Sequence, residues 1–375
     1  MAITLDGSTG ITTPTYSGSV SAEYITPVTG FKNRIINGDM KIDQRNAGAE
    51  VTSGTSQYTV DRFDLSESAT SVVSFQQNAG SVTPPTGFTN YIGFTTTTSS
   101  SPSSSQYTLF RQRIEGYNIA DLGWGTAAAK SVTLSFWVRS SLTGTFGGSF
   151  RNSANNRSYP FSYTISSANT WEQKSITIAG DTTGTWLTTN GTGITITFSL
   201  GSGSDYLSTA NSWQAGNYQG VTGQTNVVET NSATWQITGV QLEKGDTATS
   251  FDYRPYGTEL ALCQRYYQTS YPMGVAINSQ TGPTEGASFI CINTSDTSNG
   301  GLLPVTMRAT PTFAMYSTIG SAGSPSARSN VSGAIVTGIT LVEGTTTSLP
   351  RLNKTGGLSA TGSPYSAHYT ASAEL

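Results

Sequence analysis

Three observations predict an all-β protein. Apolar residues alternate with polar ones in several segments, Gly-, Ser-, Asn- and Pro-rich connections separate those segments, and a single stretch, SFDYRPYGTELALCQRYYQ at 250–268, carries helix-like spacing. The architecture expected is an antiparallel jelly-roll sandwich, then a short helix, then a second, smaller β domain.

Residues 1–30 combine Thr, Ser and Gly with isolated apolar positions such as Ile3, Leu5 and Ile11. Such a segment buries too little to fold alone, so it is expected to be an extended arm ordered by pairing with another chain. Residues 31–249 are strand-like. SVVSFQQ at 71–77, SQYTLFRQRI at 105–114, SVTLSFWVRS at 131–140, TWEQKSITIA at 170–179, GITITFSLG at 193–201 and ATWQITGVQLE at 233–243 enrich β-branched and aromatic residues at near period two. In 131–140, Val132, Leu134, Phe136 and Val138 are expected to face a core, with Thr133, Ser135, Trp137 and Arg139 on the other side. Half-buried strands pair antiparallel, and long polar connections such as TTTTSSSPSSS at 95–105 point to two sheets face to face.

Residues 250–265 form the expected joint. Pro255 supplies a helix-compatible φ in the first turn, Thr258 and Glu259 suit an N-terminus, and Leu260 to Cys263 continue an apolar run. A helix of about two turns is predicted. Phe251, Tyr253 and Tyr256 are expected to cover the end of a core, with Asp252 and Arg254 paired on the solvent side. From 266 to 375 the β pattern resumes on a smaller scale, as in GASFICINT at 286–294 and GAIVTGITLVEG at 333–344.

Charged residues make up 11% of the chain, against about a quarter in an average globular protein, and the formal net charge is −3. The 19 Lys and Arg are scattered along the sequence, so no basic field for nucleic acid is expected. Aromatic residues, at 10%, supply large units of burial. Cys263 and Cys291 are too few for a disulfide framework and suit free thiols in a reducing cytosol. The N-terminus carries no Sec-type export pattern, and no run of about 18 apolar residues is present for membrane insertion. Release by lysis of a host cell is the expected way out.

FKNRIINGDMKIDQRNAG at 31–48, YTVDRF at 58–63 and WQITGVQLEKGDTATSFDYRPYGTELALCQRYYQ at 235–268 resemble virion structural proteins of tailed bacteriophages, of the tail-fibre-like or receptor-binding kind. The predicted sandwich is similar to jelly-roll carbohydrate-binding modules, whose first strand often passes through an NGD-type turn such as Asn37, Gly38 and Asp39. The resemblance implies attachment to other tail or capsid proteins through the arm, a homotrimer, a place in the virion and contact with a host-surface glycan. Where such modules hold structural Ca2+, acids after that turn and on the last strand supply oxygens. Thr238 and Gly239 stand where the last-strand acids are expected, which leaves Asp39 and Glu243 as the metal-ligating pair; the alternative is that Asp39 closes a turn.

Catalytic patterns are sparse. His368 is the sole histidine, and no P-loop, GxGxxG or GxSxG pattern occurs. Glycoside hydrolysis needs only two carboxyls at a set separation, for which Asp61, Asp64, Glu115 and Asp205 are candidates. Aromatics in polar loops suit glycan binding, because flat rings stack on sugar C–H faces while amides and hydroxyls serve the hydroxyl groups. Tyr206, Trp213 and Tyr218 in 201–220, and Trp186 in GTWLTTNG, are the positions with that setting; alternatively they fold back to close the sandwich edge. The expected function is a virion structural protein, a tail-fibre or receptor-binding component without catalysis. The alternatives are a glycan-binding depolymerase and a capsid decoration or head-fibre protein.

Overall fold

The computed structural model describes residues 32–54, 56–68, 73–277, 287–291, 297–299, 302–316, 326–329, 335–337, 340–342, 344–353 and 364–375. The arm expected at 1–30 lies outside the described residues, as do Cys291's side-chain surroundings.

Among the described residues of the first two-thirds of the chain there are fifteen strands: β1 Val51–Thr52, β2 Gln57–Tyr58, β3 Phe63–Glu67, β4 Val73–Gln77, β5 Ile92–Thr96, β6 Tyr107–Glu115, β7 Val132–Ser140 and β8 Gly144–Arg151. They continue with β9 Arg157–Ile165, β10 Glu172–Ile178, β11 Thr192–Ser202, β12 Leu207–Ser208, β13 Gln214–Ala215, β14 Gly220–Val221 and β15 Thr234–Lys244. One sheet runs β1-β4-β5-β15-β7-β10 and the other β13-β9-β8-β11-β6-β3-β2, both antiparallel throughout. The two-residue strands β12 and β14 pair parallel within the loop that follows β11.

The alternation expected in 131–140 is realised, with Val132, Leu134, Phe136 and Val138 all fully buried in the core. Ile194, Ile196, Phe198 and Leu200 of β11 and Tyr159, Phe161, Tyr163 and Ile165 of β9 face them from the other sheet. At the centre Phe198 meets Phe136 at 5.0 Å and Trp235 at 5.8 Å, while Trp235 donates its indole N–H to the Tyr163 hydroxyl at 3.2 Å. Each such ring contributes roughly 1.5–3 kcal/mol by leaving water.

The NGD turn locks onto the last strand. Asn37 adopts φ 60°, and its side-chain amide donates to the carbonyls of Ile42 and Asp61 while its oxygen accepts the Ile42 N–H. Gly38 accepts the N–H of Val240 at 2.9 Å, where β15 breaks register between Thr238 and Gln241. Gly239 takes φ 62° in that bulge, a conformation open to glycine. A Cβ on Gly38 would overlap the Val240 carbonyl oxygen. Gly38→Ala is therefore expected to cost about 1–3 kcal/mol, read as a lower urea midpoint at unchanged m-value; a midpoint equal to the parent's would show that the carbonyl moves aside freely.

The predicted helix is present as α1, Tyr256–Gln264, with Pro255 immediately before it. Of the three aromatics expected to cover the core, Phe251 is half-buried against Phe88 at 5.1 Å, Tyr253 touches Phe88 at 5.6 Å but is itself exposed, and Tyr256 is exposed. Asp252 and Arg254 were expected to pair with each other on the solvent side; instead Asp252 accepts the N–H groups of Lys32 and Asn33, and buried Arg254 ion-pairs with Glu259 at 3.2 Å. The cause is main-chain demand, because Arg254 also donates to the carbonyls of Asn33 and Ile35. Cys263 is a free, fully buried thiol beside Ile36, Ile42 and Tyr266.

After α1 the strand Pro364–Ser372 organises the remaining sheet, pairing with Tyr267–Thr269, Ala287–Cys291, Thr312–Tyr316 and Ser326–Ser329. Its small core includes Leu303, Met307, Leu349 and Tyr369. Charged contacts tie this part to the sandwich: Glu374 bridges Arg45 and Arg62, Arg265 binds Glu115 at 2.7 Å, and Arg308 donates to the Asn190 carbonyl.

Candidate functional site

The seven-stranded sheet presents a polar outer face because its strands alternate. In β6, Phe110 and Ile114 enter the core and Tyr107, Arg111 and Arg113 stand on the opposite side. In β11, Ile196 and Phe198 point inward and Thr195 and Thr197 outward; in β8, Phe150 is inward and Arg151 outward. Register then fixes the neighbours. Arg113 pairs with Thr195, and Thr195 with Arg151, so one row across three strands reads Arg, Thr, Arg. The row beside it reads Asp64, Arg111, Thr197, Ser149.

A cavity of about 180 Å³ opens over these rows. Its floor is Arg111, Arg113, Thr192, Thr195 and Arg151. The loop 201–220 brings Tyr206, Asn217 and Gln219 to its side, with Ser153 and Asn155 from the turn after β8. Tyr206 stands edge-on to Tyr107 at 5.1 Å and 90°. The loop is held in place by main chain, with Gln219 N–H donating to the Tyr206 carbonyl at 2.7 Å and Asn211 N–H to that of Pro160 at 2.8 Å.

Charge in this cavity is unevenly compensated. Asp64 accepts from Arg111 at 2.8 Å and from Arg113 at 3.3 Å, and Arg113 also donates to the Leu375 main-chain oxygen. Arg151 is 3% exposed and has only neutral acceptors, the side-chain oxygens of Asn155, Asn217 and Thr197. Burial first, then the neighbouring charges of Arg111 and Arg113, pull its pKa down to about 10.

Among the aromatic candidates, Tyr206 lines this cavity. Trp186 and Trp213 instead join Trp124, with ring separations of 4.7 to 5.3 Å, and Trp213 also meets Tyr159 at 5.1 Å. Both indole N–H groups are spoken for: Trp186 donates to Asp181 and the Thr183 carbonyl, and Trp213 to the Ala179 carbonyl. That is the geometry of an anchor closing the sandwich edge. Tyr218 is half-buried, its ring against Gly216.

The acidic candidates sit apart from one another in function. Asp39 is ion-paired with Lys41 at 2.6 Å, and Glu243 accepts the N–H and hydroxyl of Thr249 and the amide of Gln241. Among the described residues no group of three or more His, Cys, Asp or Glu is placed to share a cation. Asp61 pairs with Arg45 at 2.9 Å; burial, opposed by Arg45 and Gln44, pushes its carboxyl up to about 7. Burial also works to raise Glu115, but hydrogen bonds from Arg265 and Tyr266 outweigh it and hold the carboxyl low. Asp205 is exposed in the turn Ser204–Tyr206.

Sequence reasoning missed the arginines. They look dispersed along the chain, yet RQR at 111–113 inside a strand already places two on one face.

No protein-family model matches the chain, and no curated protein is similar to it in sequence. Among solved structures it is similar to the enzymatically active domain of bacteriophage CBA120 tailspike protein 4, at 13% identity and a TM-score of 0.32, covering 57% of this chain and 21% of that one. The chain thus spans about a fifth of that domain. It is also similar to a family 4 carbohydrate-binding module (14% identity, 56% and 98% of the two chains, TM-score 0.28). A family 11 carbohydrate-binding module from a Clostridium thermocellum cellulase is comparable (13%, 53% and 97%, TM-score 0.26). Likeness at this level says nothing about ligand or activity.

Proposed function

We propose that this protein is a non-catalytic glycan-binding component of a bacteriophage virion, contacting the host surface through the outer face of its seven-stranded sheet. The observation that supports this reading is the cavity there: tyrosine, serine and threonine hydroxyls beside amides and guanidinium groups, hydrogen-bonding partners for sugar hydroxyls, with no carboxylate among its lining residues. Its volume is below the roughly 300–1,000 Å³ of drug-sized clefts and suits a single sugar residue. The virion assignment is motivated by the stretches 31–48 and 235–268, which resemble phage structural proteins. In it, residues 1–30 attach the chain to the particle and three copies associate. Incubation with host-surface polysaccharide is expected to give retention without release of oligosaccharide, and light scattering after size exclusion a trimer. Released oligosaccharide would assign a depolymerase, and a monomer would remove the trimer.

A further inference from the structure

The cavity's charge points beyond glycans in general. We infer that, granted the glycan-binding reading, the site selects a sugar carrying a carboxylate or sulfate, with Arg151 as the anion's main partner. Three guanidinium groups line the cavity; among the described residues the side-chain carboxylate paired with them is Asp64, shared between Arg111 and Arg113, and Arg113 also donates to the Leu375 main-chain oxygen. Arg151 has no carboxylate at ion-pair distance among the described residues, its acceptors being Asn155, Asn217 and Thr197, and its Nε finds no acceptor. Gln219, which also lines the cavity and is 2% exposed, has an unpartnered side-chain oxygen, which would accept from a hydroxyl of the sugar and not contact its anion.

A buried cation held only by neutral oxygens is costly, because desolvation is offset by dipoles rather than by an opposite charge. An oxoanion bound in the cavity would supply the opposite charge that these neutral oxygens do not. Guanidinium suits that role, since its planar fork matches carboxylate and sulfate oxygens better than an ammonium does. Arg113 stands two strand spacings, roughly 10 Å at the backbone, across Thr195 from Arg151, which leaves the anion between two cations.

The test is an array carrying uronate-, sialate- and sulfate-bearing glycans together with their carboxyl-reduced or desulfated counterparts, probed with the full chain. Binding is expected on acidic glycans at least about tenfold above the neutral counterparts, and the uronate and sulfate arms separate the two anions. Arg151→Gln, with an unchanged circular dichroism spectrum, is expected to weaken that binding by about ten- to a hundredfold. Equal binding to the neutral counterparts, or full binding by a folded Arg151→Gln, overturns the anion assignment while leaving glycan recognition standing. No binding to any glycan overturns the functional reading itself. If Arg151→Gln does not fold, the parent chain decides: acidic binding must fall as NaCl rises from about 50 to about 500 mM, and insensitivity to salt overturns the inference.

Discussion

Glu374→Ala is expected to lower the unfolding free energy by about 3–5 kcal/mol, the usual cost of removing one partner from a buried ion pair. Glu374 bridges two arginines that themselves lie against the sandwich, Arg45 at 2.8 Å and Arg62. Arg62 is 2% exposed, sits 3.5 Å over the Tyr266 ring and otherwise donates to the Arg113 carbonyl. Burial pulls its pKa down, and the Glu374 carboxylate, together with smaller contributions from Tyr266, Tyr58 and Cys263, reverses that. Arg45 keeps Asp61 after the substitution, but Arg62 loses the carboxylate it is bonded to and remains out of water. Urea unfolding of the full chain measures the effect. Glu374→Gln, which retains an acceptor, is expected to fall between parent and Ala variant. A loss below about 1 kcal/mol for Glu374→Ala, the range of exposed pairs, would show that water reaches Arg62 and that the bridge is dispensable.

Trp186→Ala is expected to cost a similar amount, about 3–5 kcal/mol, through a different mechanism. The indole is 7% exposed and stands between Trp124 at 4.7 Å and Trp213 at 5.3 Å, so its loss empties the middle of a ring cluster. It also releases Asp181 from one donor, although Arg157 still holds that carboxylate through two hydrogen bonds of 2.7 and 2.8 Å. Trp213→Ala, at a half-buried site, is expected to cost less. Thermal unfolding followed in the near-ultraviolet, where the six tryptophans of the chain, the three clustered ones among them, contribute, distinguishes the two. Equal and small shifts for both would mean that the cluster is a lid rather than part of the core.

Much of the sandwich was legible because its signal is local. Val132, Leu134, Phe136 and Val138 alternate with polar residues, and alternation needs no knowledge of the neighbouring strand. The helix at 256–264 was legible for the same reason, from Pro255 and the run that follows. What failed to show was anything that depends on register. Arg113 and Arg151 lie 38 positions apart, with Thr195 further along, and only strand order brings them into one row. The tryptophans illustrate a second limit. Trp186 and Trp213 sit in polar text, which resembles an exposed binding loop, yet side-chain direction is set by what the loop packs on, and here that is Trp124 and Tyr159. The pairing of Arg254 was hidden because its acceptors, the carbonyls of Asn33 and Ile35, are more than 200 residues earlier in the chain.

The way Arg254 reaches those two carbonyls bears on how such a chain could exchange parts with others. A recombination point placed at 249, the obvious gap between blocks of β sequence, would strip the first block of the guanidinium that serves its opening residues. It would also remove Glu259, which accepts the Asn37 N–H in the NGD turn. A crossover beyond Arg265 and Tyr266, whose partner is Glu115, keeps these contacts, provided that the new part supplies a carboxylate for Arg62 where Glu374 stood. Gene swaps that replace the C-terminal part should therefore keep the helix with the sandwich, and chimaeras cut before it should come out of the cell insoluble.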